Sequence, residues 1–570
     1  METTRLILVL SLTVLTILLW QFWQQDYGRG VASVSPAPTS NSEEPEGGRP
    51  SVPELPGAQP AASVGPAPAA AAAAPADERI SIQTDVLRLE IGARGAGIRR
   101  AELLRYPVAL DKPSEPFVLL NDTPPDFYVT QGGLLSRQAA PTDDGAFVSN
   151  QPDYSLPPGV QTLQVPFTWT GGGITVRKVY ELQRGSYVIE VRYEVENRSS
   201  SKWEGWAYSQ IQRNDPGRTG RRLVYTYVGA VLSAPGQRYQ KIDFKKMRTQ
   251  KLGEDITGGW AAMLQHYFIA ALIPADPHER HRFYTWCRST NKDDTGCEIA
   301  TSALQDERFA IGIMSSPRVI EDGGSGLFSE QIYIGPKLQN VMKNVADGLD
   351  LTVDYGKLWF IAKPLYWCLE QLRKLTDNWG WAIILVTVFL KLLFYPLSAA
   401  GYRSMANMRR VQPRLLAIRD RYKNDRARLN QAMMQIYKEE KINPFGGCFP
   451  IVIQIPVFIS LYWVLLESVE LRQSGFIFWL HDLSTPDPYW VLPILMGGTM
   501  LIQQRLNPAP MDPVQEKVMQ IMPFAFTIFF GFFPSGLVLY WVVNNVLSIG
   551  QQWTIARGIE RAATVTEGKP

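Results

Sequence analysis

The 570 residues include only four cysteines and four histidines, with no CxxC and no HxxxH pair. A zinc cage needs such closely spaced ligands, so a structural metal site is excluded, and so is a disulfide-stapled miniprotein. Charge is scarce as well: Asp, Glu, Lys and Arg make up 19%, against roughly 25% in soluble domains. The net charge of +3 argues against wholesale nucleic-acid binding. No P-loop, GxSxG or HExxH motif occurs, so nothing marks covalent or metal-assisted catalysis and no cofactor is expected. His266, His278 and His281 do not change this, because lone histidines are usually structural.

What is present is a set of long runs without charge. Leu6 to Gln25 has none over 20 residues, Asn378 to Tyr402 has only Lys391 over 25, and Ile442 to Leu466 has none over 25. Pro488 to Gln504 adds 17, and Val518 to Ala556 adds 39 with the turn signal Pro534-Ser535-Gly536 inside it. A bilayer core of about 30 Å takes about 20 helical residues, so the last run is expected as two helices, Val518–Phe533 and Leu537–Ala556. The expectation is six transmembrane helices: an N-terminal anchor over residues 1–25 and five in a core over 377–556. The loop from Tyr402 to Asn443 has eleven Lys and Arg against four acids, which places it in the cytoplasm. Residues 467–487 hold four acids and only Arg472, which places them outside. Both termini are then cytoplasmic, and the cytoplasmic loop reads as a two-helix hairpin broken at Asn424-Asp425.

Residues 26–79 form a linker; within it, 50–76 contain seven Pro and eleven Ala and cannot build a core. From Ile80 the pattern alternates with period two, as in Val86–Ile91, Ile174–Leu182 and Tyr187–Val195. This predicts a large antiparallel β-sandwich over 80–350, on the outer side. Cys287 and Cys297 flank a polar loop there; the oxidising side permits a disulfide, and two buried thiols are the alternative. Residues 351–376 then read as an amphipathic helix in the membrane interface, interrupted by Pro364.

Lys391 is the informative residue. A charge at mid-span costs about 2.5–3.5 kcal/mol and normally faces protein or water. Thr387, Lys391 and Ser398, at i, i+4 and i+11, are expected as one polar stripe. Gln454, Thr499, Gln503, Gln515, Gln520, Asn544, Ser548 and Gln551 lie in the same cytoplasmic half of their helices, while the outer halves are nearly all apolar. A transport path should be polar through its full depth. This pattern describes a wet concavity open to the cytoplasm and closed toward the outside. The rivals are a transporter, and a membrane-tethered carbohydrate-active protein whose site would lie in the sandwich.

Particular segments resemble the bacterial YidC branch of the Oxa/Alb insertases. They are Ala382–Leu397 with Lys391 and Tyr395-Pro396-Leu397; Ser404–Arg409 followed by Gln412-Pro413; Asn443–Pro450; Gln454-Ile455-Pro456; Leu480–Leu483; and Phe533–Trp541. The resemblance covers the whole chain. It implies an inner-membrane insertase and chaperone, not an enzyme, with a β-supersandwich outer domain and a positively charged hydrophilic groove at Lys391. It implies a substrate slide at Ile455, Pro456, Phe458, Phe526, Thr527, Phe529, Tyr540 and Trp541. The implied partners are nascent inner-membrane proteins, the Sec translocon and lipids. A ribosome contact is expected to be weak, because the tail over 557–570 is short and nearly neutral.

Overall fold

The computed structural model describes residues 78–217, 226–289, 307–422, 425–440, 449–507 and 513–567. The expected anchor, nearly all of the linker, Cys297 and part of the hairpin break therefore lie outside the described residues. The chain divides into a β-rich part followed by a helical part, joined by one continuous set of buried apolar side chains from Ile80 to Tyr540.

The β part holds sheets of five, nine and six strands. Its largest sheet centres on Ile174–Gln183, Val188–Asn197, Ser325–Pro336 and Phe268–Pro274. In Val188–Asn197 burial alternates residue by residue, so Ile189, Val191, Tyr193 and Val195 enter the core. Gly185, with φ of 73°, makes the tight turn into that strand from its partner. The pairing is antiparallel apart from Arg79–Gln83 with Asp153–Ser155, which is parallel and corrects the expectation of a wholly antiparallel sandwich. Cys287 is disulfide-bonded.

The helical part consists of α1 (Trp359–Thr376), α2 (Trp379–Leu393), α3 (Tyr395–Arg421), α4 (Arg426–Glu439), α5 (Phe449–Glu467), α6 (Val491–Leu506), α7 (Pro513–Phe530) and α8 (Ser535–Glu567). Helix α1 buries Ala362, Leu365, Tyr366 and Leu369 against α2 and α5, and exposes Trp359, Phe360, Trp367 and Leu375. Pro364 does not interrupt it: the ring lacks a donor, but the helix runs on for 18 residues. Asp377, left-handed at φ of 51°, ends α1, and the Asn378 side chain caps α2 by accepting from the amides of Gly380 and Trp381.

The run expected as one span from Asn378 to Tyr402 is two helices bent by 68° at Phe394. Pro396 sits in the first turn of α3, where its missing N–H leaves no intrahelical bond unmade. Pro413, by contrast, lies inside α3, which neither starts nor stops there. The hairpin closes with Asp425 capping α4 and with Val411, Leu415, Leu429 and Met433 packed between the arms. Helix α8 continues eleven residues past its expected end, through most of the presumed tail. Among the described residues no single helix is both long and apolar enough to cross a membrane, although α2 and α3 pass together.

The two parts are locked where the C-terminal end of α5 and the loop after it meet the sandwich. Lys337, at the end of the last strand, pairs with Glu467, the last residue of α5, at 2.7 Å with both side chains buried. The Arg472 Nη2 donates to the carbonyls of Pro107 and Val108 at 2.8 and 3.1 Å. The His266 ring nitrogen Nε2 meets the Leu466 carbonyl at 3.0 Å. Acids that read as a topology signal are thus structural: Asp487 also is buried, and accepts from the amides of Tyr489 and Leu492 and from the Trp479 indole.

Removing one member of a buried ion pair strands the other. Lys337→Met is expected to destabilise the docked state by about 3–5 kcal/mol, and Lys337→Met with Glu467→Met by much less. Thermal unfolding of the detergent-purified protein measures both. Burial pushes the His266 pKa down to about 4. The neutral ring is therefore favoured in the fold, so its contribution is complete above about pH 6.5 and is lost as pH falls toward 4. Acid-induced loosening across that window, smaller in His266→Gln, is expected in protease-sensitivity titrations.

Candidate functional site: a charged cleft among the apolar helices

A narrow cleft of about 30 Å³ opens between α2, α3, α5 and α8. Thr387, Leu390 and Lys391 line it from α2, Leu397 and Ser398 from α3, Ile453, Gln454 and Val457 from α5, and Tyr540 and Asn544 from α8. The bend at Phe394 turns α3 back so that Ser398 faces the same space as Lys391. The expected stripe is therefore assembled from two helices and not from one.

Lys391 is 8% exposed, and its ammonium donates to the Ser548 hydroxyl at 2.6 Å. Ser548 in turn donates a hydrogen bond to the Asn544 carbonyl at 2.7 Å, one turn back on α8. The Gln454 amide donates to Asn544 Oδ1 at 2.5 Å and ties α5 to α8. Thr387 returns its proton to the Ile383 carbonyl, so it offers the cleft an acceptor and no donor. Among the described residues Lys391 has no carboxylate partner. A desolvated ammonium answered only by a hydroxyl keeps two donors and an unneutralised charge. Such a site attracts an anion or holds water.

The other expected lining residues fall elsewhere. Thr499 accepts from the Asn545 amide at 3.1 Å and donates to the Met496 carbonyl, on the face of α8 that packs against α6. Gln503 is half-buried on α6, and Gln520 is exposed on α7, where it reaches Glu516 at 3.4 Å. Gln551 is half-buried, with its Oε1 unpartnered among the described residues. The correction has a physical cause. Residue number sets depth along a helix, but the neighbour is set by the helix's place in the bundle, and α7 packs mainly on α6 at its edge. Asn545 and Gln552 were missed; Gln552 is buried and donates to the Leu506 carbonyl and to Asn507 Oδ1, closing the end of α6. The signal was available, since Asn545 and Gln552 are spaced i, i+7 beside Asn544 and Gln551.

Of the expected slide residues, Ile455 and Phe529 are exposed, and Pro456 lies half-buried inside α5. Phe458 packs against Tyr540 and Trp541, with ring centroids 6.1 and 4.6 Å apart, and Trp541 meets Phe530 at 5.0 Å. Phe526 also contacts Phe530. Thr527 back-bonds to Pro523 and abuts Gly497, where a Cβ would sit 2.1 Å from its hydroxyl. Tyr540 is buried and lines the cleft, so it is not a lipid-facing residue. Val452, Phe524 and Ile528, on the same two helices as Ile455 and Phe529, are also exposed apolar side chains.

Two family models match the chain: one described as the 60Kd inner membrane protein over residues 371–562, and one described as the YidC periplasmic domain over 79–368. A relative named membrane protein insertase YidC from Methylococcus capsulatus is 46% identical over 568 residues, covering 98% of this chain and 99% of its own. The protein of the same name from Nitrosococcus oceani is 45% identical over 568 residues, covering 98% and 100%. A solved structure, an active YidC insertase with its first transmembrane domain resolved, is 18% identical and covers 84% of this chain and 92% of that one, with a TM-score of 0.37.

Interhelical hydrogen bonds in membranes contribute about 0.6 kcal/mol on average and up to about 1.7. A double-mutant cycle of Gln454→Leu and Asn544→Leu should return a coupling in that range, and so should Thr499→Val with Asn545→Leu. Only the first pair lines the cleft, so only the first should also slow insertion of a reporter membrane protein, measured by protease protection.

Proposed function

The chain belongs to the YidC family of membrane protein insertases, and from that premise we propose that Lys391 is the working charge of a cytoplasm-open groove for nascent inner-membrane proteins. Insertion is not an enzymatic reaction, and the full-length relatives leave no support for a transporter or a carbohydrate-active protein. The observation that carries the proposal is the buried Lys391 ammonium, answered by Ser548 and by no carboxylate among the described residues.

In this reading the polar flank of a substrate enters the cleft, and its carboxylates take the donors that Ser548 leaves free. At 4 Å and an effective dielectric near 20, one such pair is worth about 4 kcal/mol before desolvation. Ser398, Gln454, Asn544 and Ser548 keep the space wet, which lowers the barrier for other polar groups. The apolar segment then moves out along Ile455, Phe458, Phe526 and Phe529, with Val452, Phe524 and Ile528 extending the same apolar surface. Each CH₂ moved into lipid contributes about 0.8 kcal/mol, and the membrane potential about 2.3 kcal/mol per charge per 100 mV.

The finer topology is part of the same proposal: six spans, both termini cytoplasmic and the β part periplasmic. It is supported by the excess of Lys and Arg in the hairpin arms. Sec translocon, lipid and weak ribosome contacts are proposed on the family resemblance alone.

The test is pulse-labelling with protease protection on matched substrates that carry acidic or uncharged translocated tails. Lys391→Arg is expected to insert both, and Lys391→Ala to fail selectively on the acidic tail. Equal insertion of the acidic tail by Lys391→Ala and the parent protein would end the groove-charge idea. An equal loss for both tails would assign the lysine to hydration of the groove alone.

A further inference from the structure

A second and larger cavity, of about 470 Å³, lies at the seam between the β part and the outer helix ends. Its helical wall is Leu466, the penultimate residue of α5, and Pro534, the residue before α8, with Arg472, Gln473, Asp482, Ser484 and Thr485 from the intervening loop. Its β wall is Val108, Ala109 and Leu110 at a hairpin tip, together with His266 and Tyr267. None of this belongs to the cleft around Lys391.

Two features make the cavity selective. One side is apolar, and Val108 and Leu110 are nearly half exposed at the rim; the other side holds guanidinium, hydroxyl and amide donors. Within it stand one cation and one anion that do not pair. Arg472 uses Nη2 on two backbone carbonyls and has no ion pair among the described residues. Asp482 accepts through Oδ1 from the Gln473 and Ser484 amides and the Ser484 hydroxyl, and likewise has no ion pair among them. The neighbouring His266 is neutral near pH 7 and contributes no charge. The guanidinium also lies 5.6 Å from the Phe117 and Phe268 rings and feels the Asp482 charge, but it forms no ion pair with it; such a cation and anion complement a ligand that carries both signs next to an apolar tail.

We propose that this cavity binds the headgroup of an outer-leaflet phospholipid bearing a primary amine, a phosphatidylethanolamine, with its phosphate at Arg472 and its ammonium at Asp482. The location supplies the ligand: both helical walls are the ends of apolar helices, at the depth where a bilayer presents its headgroups. A lipid with only an anionic head would leave Asp482 unanswered and repelled. A quaternary amine has no N–H to give the Asp482 carboxylate. The proposal rests on the helices lying in a bilayer and not on the groove mechanism, so the lipid-binding and insertion assays fail independently.

The experiment is native mass spectrometry of the full-length detergent-purified protein, titrated with phosphatidylethanolamine, phosphatidylglycerol and phosphatidylcholine of identical acyl chains. The expected result is about a tenfold preference for phosphatidylethanolamine over both others. Arg472→Gln should weaken binding of all three. Asp482→Asn should erase the preference for phosphatidylethanolamine, and it is the decisive variant, because the Asn Oδ1 accepts the same three turn hydrogen bonds and keeps the fold. Equal affinities for the three lipids, or a preference that survives Asp482→Asn, would overturn the proposal. So would binding of an acidic dodecapeptide that is lost in Arg472→Gln while lipid binding is unchanged, which would make the cavity a polypeptide exit site.

Discussion

The helical part is organised around one ammonium group that is taken out of water without being given a counter-charge among the described residues. Most buried lysines are paired, as Lys337 is with Glu467 at the domain seam. Lys391 receives a hydroxyl, and that hydroxyl is itself held by the Asn544 carbonyl, which leaves the site under-neutralised. An under-neutralised charge is costly to keep at membrane depth, so the surrounding helices must make it a wet or ligand-seeking place. The bend at Pro396, the Gln454–Asn544 tie and the phase of α8 all serve that arrangement. Each brings a polar side chain from a different helix to the same small space.

Lys337 and Lys391 show how one side chain serves opposite ends. At the seam, mutual neutralisation, the His266 contact and the carbonyls gripped by Arg472 make a rigid joint. In the cleft, the absence of such neutralisation keeps the site responsive. The connected apolar core between them, through Leu461, Val464 and Leu537, is fully buried and separates the cleft from the seam.

Much of this was legible in the sequence because it depends on local periodicity. The strands Ile174–Gln183 and Val188–Asn197 fall within one or two residues of their alternating patterns. Lys391 stood out because a lone charge in a 25-residue apolar run has few explanations. What was not legible is lateral. Nothing in the sequence places α7 at the edge of the bundle, so Gln520 read as lining although it is exposed. Asn544 and Asn545 are adjacent in the chain, yet one faces the cleft and the other faces α6. Only the three-dimensional packing separates them. The bend at Phe394 was readable in principle from Tyr395-Pro396, but the surrounding apolar residues run on without a break and masked it.

The bend also has a mechanical side. Helix α3 has 27 residues, a nearly rigid rod about 40 Å long pivoted at Phe394. The fulcrum lies three residues from Lys391, and the far end carries the basic hairpin. A rod of that length tilting by about 10° carries its tip through roughly 7 Å while its root moves by a fraction of an ångström. Force applied to the hairpin by anything bulky and acidic would reach the root amplified, at small displacement. The same leverage run in reverse would report a small rearrangement around Lys391 as a large swing of the far end of α3.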